Sequence, residues 1–285
     1  MRLSPRLLAH LKMASSTTAP LTRASPERFA ELHESLAEIR AKVQRAAQSR
    51  QSTLVAVSKY KPASDVLACF EDGQIDFGEN YVQELVDKAA QLPQDIRWHF
   101  IGTLQSNKAK TLASIPNLYA IQTVTSIKAA TALNKYVLPE RPTPLNILIQ
   151  VNTSGEDNKS GLPPLSSCTT SPSESELAKL ARHIISECPR CHLQGLMTIG
   201  SLTESLASAE KPNLDFETLV ATRDALQEVL KDLPAERWGA DGKLLLSMGM
   251  SSDFEAALKA GSDIVRVGAG IFGTRAKKEE IRPTA

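Results

Sequence analysis

The chain has 285 residues, 42% of them hydrophobic, which is enough for one large core or two ordinary ones. Its 33 lysines and arginines against 32 aspartates and glutamates leave a formal charge of +1. That balance argues against a dedicated binder of nucleic acid or acidic membranes, since both partners call for a basic excess.

Residues 1–25 carry Arg2, Arg6, Lys12 and Arg23, many serines and threonines, and no acid before Glu27. Such a segment fits either a disordered tail on a cytoplasmic protein or a mitochondrial transit peptide, and it stands outside the fold in both cases. From 28 to 50, Phe29, Leu32, Leu36, Ile39 and Val43 recur at spacings of mostly three and four, which predicts an amphipathic helix. An alternation then sets in. Short apolar runs at 54–60, 76–80, 98–102, 119–124, 145–152, 193–199, 244–248 and 264–267 predict strands. The stretches 63–71, 81–92, 107–114, 126–137, 174–188, 216–230 and 252–260 predict the helices between them.

About eight β-α units with continuously apolar strands predict a parallel sheet covered by helices and closed on itself. The expected fold is a single (β/α)8 TIM-type barrel over 26–275, with 276–285 as a tail. Residues 155–175, rich in Ser, Thr and Pro, form one long irregular insertion, expected as a flexible loop on the strand-end face. No apolar run approaches the roughly 20 residues that span a bilayer. Four cysteines are too few for a disulfide scaffold in a chain this long, so a reducing compartment is expected. Cys188-Pro-Arg-Cys191 with His192 has the spacing of half a zinc site. No second such pair follows, and Cys168 sits in the insertion, so ordinary reduced thiols are expected and no metal.

Active sites on these barrels form where strands end, so polar residues there carry the information. Lys59 ends the first predicted strand. Burying a lysine as an ammonium is costly, and desolvation makes it a usable amine nucleophile. The alternative is a lysine that reaches the rim or pairs with an acid such as Glu79. Ser247-Met-Gly-Met-Ser-Ser-Asp253 follows a strand and opens a helix, and Arg266-Val-Gly268-Ala269-Gly270 follows the last strand. Two loops of small residues after the final two strands are where these barrels place a phosphate, although the glycines also suit tight turns. Arg266 can donate to a ligand or form a structural ion pair. Gly268, Gly270 and Gly273 match a dinucleotide-binding spacing, but twelve residues after Gly273 leave no room for the βαβ unit that motif requires. His99 on a strand is expected as a hydrogen-bonded core residue.

Several motifs then coincide: AVSKYKP (56–62), FGENYVQE (77–84), WHFIGTLQSNKAK (98–110), QVNTSGEDNKSG (150–161), GLMTIG (195–200), LSMGMSSDF (246–254) and RVGAGIFG (266–273). Together they resemble the YggS/PROSC family of pyridoxal phosphate homeostasis proteins over about residues 30 to 275. The resemblance implies a barrel like the N-terminal domain of alanine racemase, holding pyridoxal 5′-phosphate (PLP) as a Schiff base on Lys59. It further implies that Ser247 and the backbone of Gly268 and Ala269 hold the phosphate, that Arg266 faces the pyridine nitrogen, and that Asn80 approaches the ring. The implied function is a monomeric, non-catalytic carrier that passes PLP to apo-enzymes, in the cytoplasm and also in mitochondria if the tail is a transit peptide. A weak PLP-dependent racemase, with Tyr60 or Tyr81 as second base, is the alternative. It is disfavoured because Arg266 leaves the ring nitrogen unprotonated and no second domain is expected after the last strand. On the residues alone, a sugar-phosphate aldolase using Lys59 without PLP also stands.

Overall fold

Ser25 accepts a hydrogen bond from the Arg28 N–H at 3.2 Å, and Pro26 presets the first turn, so helix α1 (Pro26–Ala47) starts there. Its stripe of Leu32, Leu36, Ile39 and Val43 is buried in the main apolar core. The computed structural model describes residues 22–48, 50–165, 171–208, 211–240 and 242–274. Residues 1–21, Cys168 and the 276–285 tail, each singled out from the sequence, lie outside the described residues.

Eight strands close into a parallel barrel in chain order: β1 (Thr53–Val57), β2 (Asp76–Glu79), β3 (Arg97–Phe100), β4 (Leu118–Val124), β5 (Leu145–Gln150), β6 (Cys191–Met197), β7 (Leu245–Ser247) and β8 (Ile264–Val267). β8 returns to β1, pairing Val55 with Arg266 and Ala56 with Val267. Between strands run α2 (Ala63–Glu71), α3 (Val82–Gln91), α4 (Ala109–Ala113), α5 (Ile127–Tyr136), α6 (Glu176–Glu187), α7 (Leu202–Ala207), α8 (Leu214–Leu230) and α9 (Phe254–Lys259), with α10 (Ala269–Phe272) after β8. The expected (β/α)8 barrel is therefore the observed fold.

Alternation along each strand sends neighbouring side chains to opposite faces. Ala56, Phe77, Ile121, Ile147, Val265 and Val267 join the large core beneath the helices. Val55, Ala120, Leu148, Met197 and Ile264 form a second, smaller cluster in the barrel lumen. That lumen also buries His99, Gln122, Ser247 and Arg266. The register slips between Trp98 and His99 on one side of β4, opposite Tyr119, and between Ile121 and Val124 on the other, where Gln122 lies.

Two short helices were not expected. Ser201 caps α7 by accepting from the Glu204 N–H, a legible Ser-x-x-Glu signal, but Leu202 and Leu206 are exposed, so no core-facing stripe announces the helix. α10 contains Gly270 and follows Gly268, residues that read as a turn. The insertion is also less irregular than expected. Its first part folds back on β5: Leu162 N donates to Gln150 O at 2.8 Å and Asn152 N donates to Leu162 O at 2.9 Å. Gly161 makes this possible, since a Cβ there would lie 2.4 Å from Asn152 N, at a φ of +139°.

Candidate functional site at the C-terminal mouth of the barrel

Val55, Val57 and Lys59 alternate along β1 and its continuation, which carries half-buried Lys59 to the lumen side at the mouth. Val57 pairs with Gly78 on β2, so Asn80 stands level with Lys59, two residues further on. On the other flank, Gly268 packs so closely that a Cβ there would lie 3.2 Å from Val57 O. The turn after Lys59 is tight. Lys61 N donates to Ser58 O at 3.0 Å, and Tyr60 adopts a left-handed φ of +62°. The Tyr60 and Tyr81 hydroxyls meet, with ring centroids 5.0 Å apart.

A buried charged network supports this turn from behind. Lys88 Nζ donates to Ser58 O at 2.8 Å, Glu79 Oε1 at 2.6 Å and Glu84 Oε1 at 2.7 Å. Ser58 Oγ donates to the same Glu79 oxygen at 2.6 Å, and Tyr60 N donates to Glu84 Oε1 at 2.6 Å. Burial pushes the Glu79 carboxyl above its ordinary value, against the pull of the Lys88 ammonium. Glu79 thus takes Lys88 as an ion-pair partner.

Asn80 Oδ1 is buried and has no hydrogen-bond partner among the described residues. Its backbone is fixed by Gly102, where a Cβ would lie 1.9 Å from Asn80 O. An acceptor left unpaired at a mouth lined by a lysine is an opening for a ligand donor.

Arg266 is buried, and its Nη1 donates to Ser247 Oγ at 2.7 Å while Nη2 donates to Thr198 O at 2.8 Å. Both acceptors are neutral. Burial pulls the guanidinium down to about 10, opposed by the charge of Asp253. The Ser247 hydroxyl donates its proton to Gln122 Oε1 at 2.7 Å, so it points into the lumen. The hydroxyl beside the Gly268 backbone is instead that of Ser251, which accepts from Gly268 N at 3.2 Å. Gly249 N-terminal to it has a φ of +93°, and its carbonyl accepts from Arg266 N at 3.1 Å, which ties the two loops together. The α10 end is held by Arg28 Nη2 and Lys61 Nζ, which donate to Phe272 O at 3.0 and 2.9 Å.

The predicted residues stand at or near the C-terminal ends of four strands, Lys59 after β1, Asn80 after β2, Ser247 at the end of β7 and Arg266 in β8, with Gly268 and Ala269 beyond β8. Lys88, Gln122 and Thr198 were missed as site candidates, and Ser251 was read only as part of the small-residue loop after β7. Gln122 carried one signal, a polar side chain inside the apolar run 119–124. Away from the mouth, burial raises the thiols of Cys69 and Cys191 to about 12 and that of Cys188 to about 11, so these are inert. Among the described residues no cluster of three or more His, Cys, Asp or Glu could hold a metal ion. No helix among them is long and apolar enough to cross a membrane.

Residues 34–276 match the family of the alanine racemase N-terminal domain. The pyridoxal phosphate homeostasis protein of Schizosaccharomyces pombe is 43% identical over 244 residues, which is 86% of this chain and 93% of its own. The chain belongs to the family of pyridoxal phosphate homeostasis proteins. The human member is 42% identical over 231 residues, covering 79% of this chain and 77% of its own length. PipY of Synechococcus elongatus PCC7942, solved with PLP bound, is a structural neighbour at a TM-score of 0.65 and 30% identity, covering 85% of this chain and 100% of PipY. Alanine racemase from E. faecalis shares the fold at a TM-score of 0.54 and 15% identity, covering 89% of this family member and 61% of the racemase chain.

Proposed function

We propose that this protein binds PLP at the barrel mouth as a Schiff base on Lys59 and acts as a non-catalytic carrier that delivers it to apo-enzymes. PLP supplies an aldehyde that a lysine amine captures, together with an electron-withdrawing ring. The observation that supports the reading is the pair of groups suited to a ring on the strands beside β1, which leads to Lys59: the orphaned Asn80 acceptor after β2 and the buried Arg266 guanidinium in β8. Arg266 has only protons to offer, so it matches an unprotonated ring nitrogen. A ring held that way is a poor electron sink, which favours holding over turnover. The phosphate is assigned to the backbone of Gly268 and Ala269 with the Ser251 hydroxyl. Ser247 is assigned to holding Arg266, because its proton already goes to Gln122.

The names of the relatives and the PLP in PipY support the cofactor. One observation favours a second reading, a weak racemase: Tyr60 follows Lys59 in a left-handed conformation and meets Tyr81 at the mouth, where a second base would stand.

The test is an absorbance spectrum of the purified protein with PLP, before and after borohydride, followed by peptide mass mapping. A visible band that disappears and leaves a pyridoxyl mass on the Lys59 peptide is the expected result. Absence of PLP uptake, with sugar phosphate trapped on Lys59 instead, would move the aldolase reading to the front. Formation of D-alanine from L-alanine, lost in Tyr60→Phe, would establish the racemase.

A further inference from the structure

Arg266 does not stand alone in the lumen. Its Nη1 donates to Ser247 Oγ at 2.7 Å, Ser247 donates to Gln122 Oε1 at 2.7 Å, and Gln122 Nε2 meets His99 Nδ1 at 3.0 Å. His99 Nε2 in turn meets Asp76 Oδ1 at 2.9 Å, while Asp76 Oδ2 is paired with Arg97 at 2.6 Å. Asp76, His99, Gln122, Ser247 and Arg266 are all buried. The chain crosses the lumen from the C-terminal mouth to a hollow of about 580 Å³ at the opposite mouth, lined by Asp76 and Arg97.

The two ends dictate the direction of every link. A guanidinium only donates, so Ser247 must accept from it and spend its single proton on an oxygen of Gln122. The Gln122 amide nitrogen then faces His99, whose Nδ1 must be the acceptor. The ring proton consequently sits on Nε2 and is donated to the Asp76 carboxylate, which accepts from both His99 and Arg97. Four links thus point one way, and reversing any one of them leaves two donors or two acceptors facing each other in a dry lumen. The Tyr119 ring lies against His99, with centroids 5.2 Å apart.

We propose that Gln122, His99 and Asp76 are positioning residues for Arg266: the chain locks the guanidinium in the orientation that faces the cofactor ring, with the Asp76 carboxylate as its terminal acceptor. The inference rests on the reading that Arg266 faces bound PLP. It gives a role to a buried histidine that is otherwise a satisfied core residue.

Two measurements test it. The first is nitrogen-15 NMR of histidine-labelled protein prepared without PLP. His99 is expected as the neutral ring with its proton on Nε2, and in Gln122→Met its Nδ1 resonance should move toward that of an unbonded imine nitrogen. The second is PLP titration by absorbance across pH. Gln122→Met should weaken binding on the order of ten-fold and shift the pH profile of the visible band. Should that variant fold poorly, Gln122→Glu serves in its place. Its carboxylate still accepts from Ser247 but cannot donate, so His99 should become doubly protonated and the band's pH profile should again move. A wild-type His99 protonated on Nδ1 overturns the chain. The expected tautomer with unchanged PLP affinity and pH profile in both variants overturns the positioning role. Failure of the wild-type protein to take up PLP would sink the cofactor reading, and with it the role toward PLP, while the NMR result still decides the chain itself.

Discussion

Lys88 has almost no access to solvent, yet it donates to the Ser58 carbonyl and to two carboxylates immediately behind Lys59. A buried ammonium survives only when its protons are all accepted, so Lys88, Glu79 and Glu84 stand or fall together. Glu79 has its carboxyl raised by burial, so the folded protein holds that proton more tightly than the unfolded chain does. The sign follows from linkage: stability falls as pH climbs from the ordinary carboxylate range through the raised value. Glu79→Gln keeps acceptors for Ser58 and Lys88 but does not titrate. Urea midpoints measured from about pH 4 to pH 7 should therefore fall less steeply for Glu79→Gln than for the wild type. At Lys59 the expectation is chemical rather than structural. Lys59→Ala should leave thermal unfolding cooperative and remove borohydride-trappable PLP, and a trapped pyridoxyl group elsewhere would name another lysine as the anchor.

At the scale of elements, α1 precedes the barrel yet controls its last loop. Arg28 Nη2 donates to Asp65 on α2 at 2.8 Å and to the Phe272 carbonyl at the end of α10 at 3.0 Å. Arg28→Ala removes the guanidinium from the buried Asp65 and leaves Lys61 as the remaining side-chain donor to the end of α10, which follows directly from Gly268. A loss of about 1–2 kcal/mol is expected, discounted for the part-exposed guanidinium. Amide exchange at Ile271 and Phe272 should accelerate and PLP affinity fall, whereas a change in stability without faster exchange there would mean α1 acts only as a general clamp. The longer helices were legible because their apolar stripes face the sheet; the predicted range 63–71 coincides with α2. The short ones were not. α7 buries little, and α10 is held by Arg28 and Lys61 from distant parts of the chain.

For the whole molecule the narrowest seam lies between β7 and β8, which share one paired position, Ser247 with Ile264. Side chains reinforce it. Asp263 Oδ2 accepts from Leu246 N at 2.8 Å, and Ser262 Oγ donates to Met248 O at 2.8 Å. Asp263→Ala should cost about 1–2 kcal/mol and preferentially reduce hydrogen-exchange protection in β7 and β8. Uniform loss of protection would instead mean that the barrel opens as one unit. Both Ser247 and Arg266 lie on this seam, so its integrity sets the geometry of the site.

The sequence by itself determined the barrel, because eight apolar runs separated by amphipathic stretches have few other ways to bury both faces of a parallel sheet. It also drew attention to Lys59 and to the small-residue loops after the last two strands, which stand out against apolar runs, while the roles given to Asn80, Ser247, Arg266, Gly268 and Ala269 came from the family resemblance. Tertiary structure alone decided their partners. Nothing local says that Ser247 turns its proton to Gln122, 125 positions away, or that Glu79 bonds Lys88. Periodicity records which face of an element is buried. Pairing inside a closed lumen depends on strand register around the barrel, which is set only when β8 meets β1.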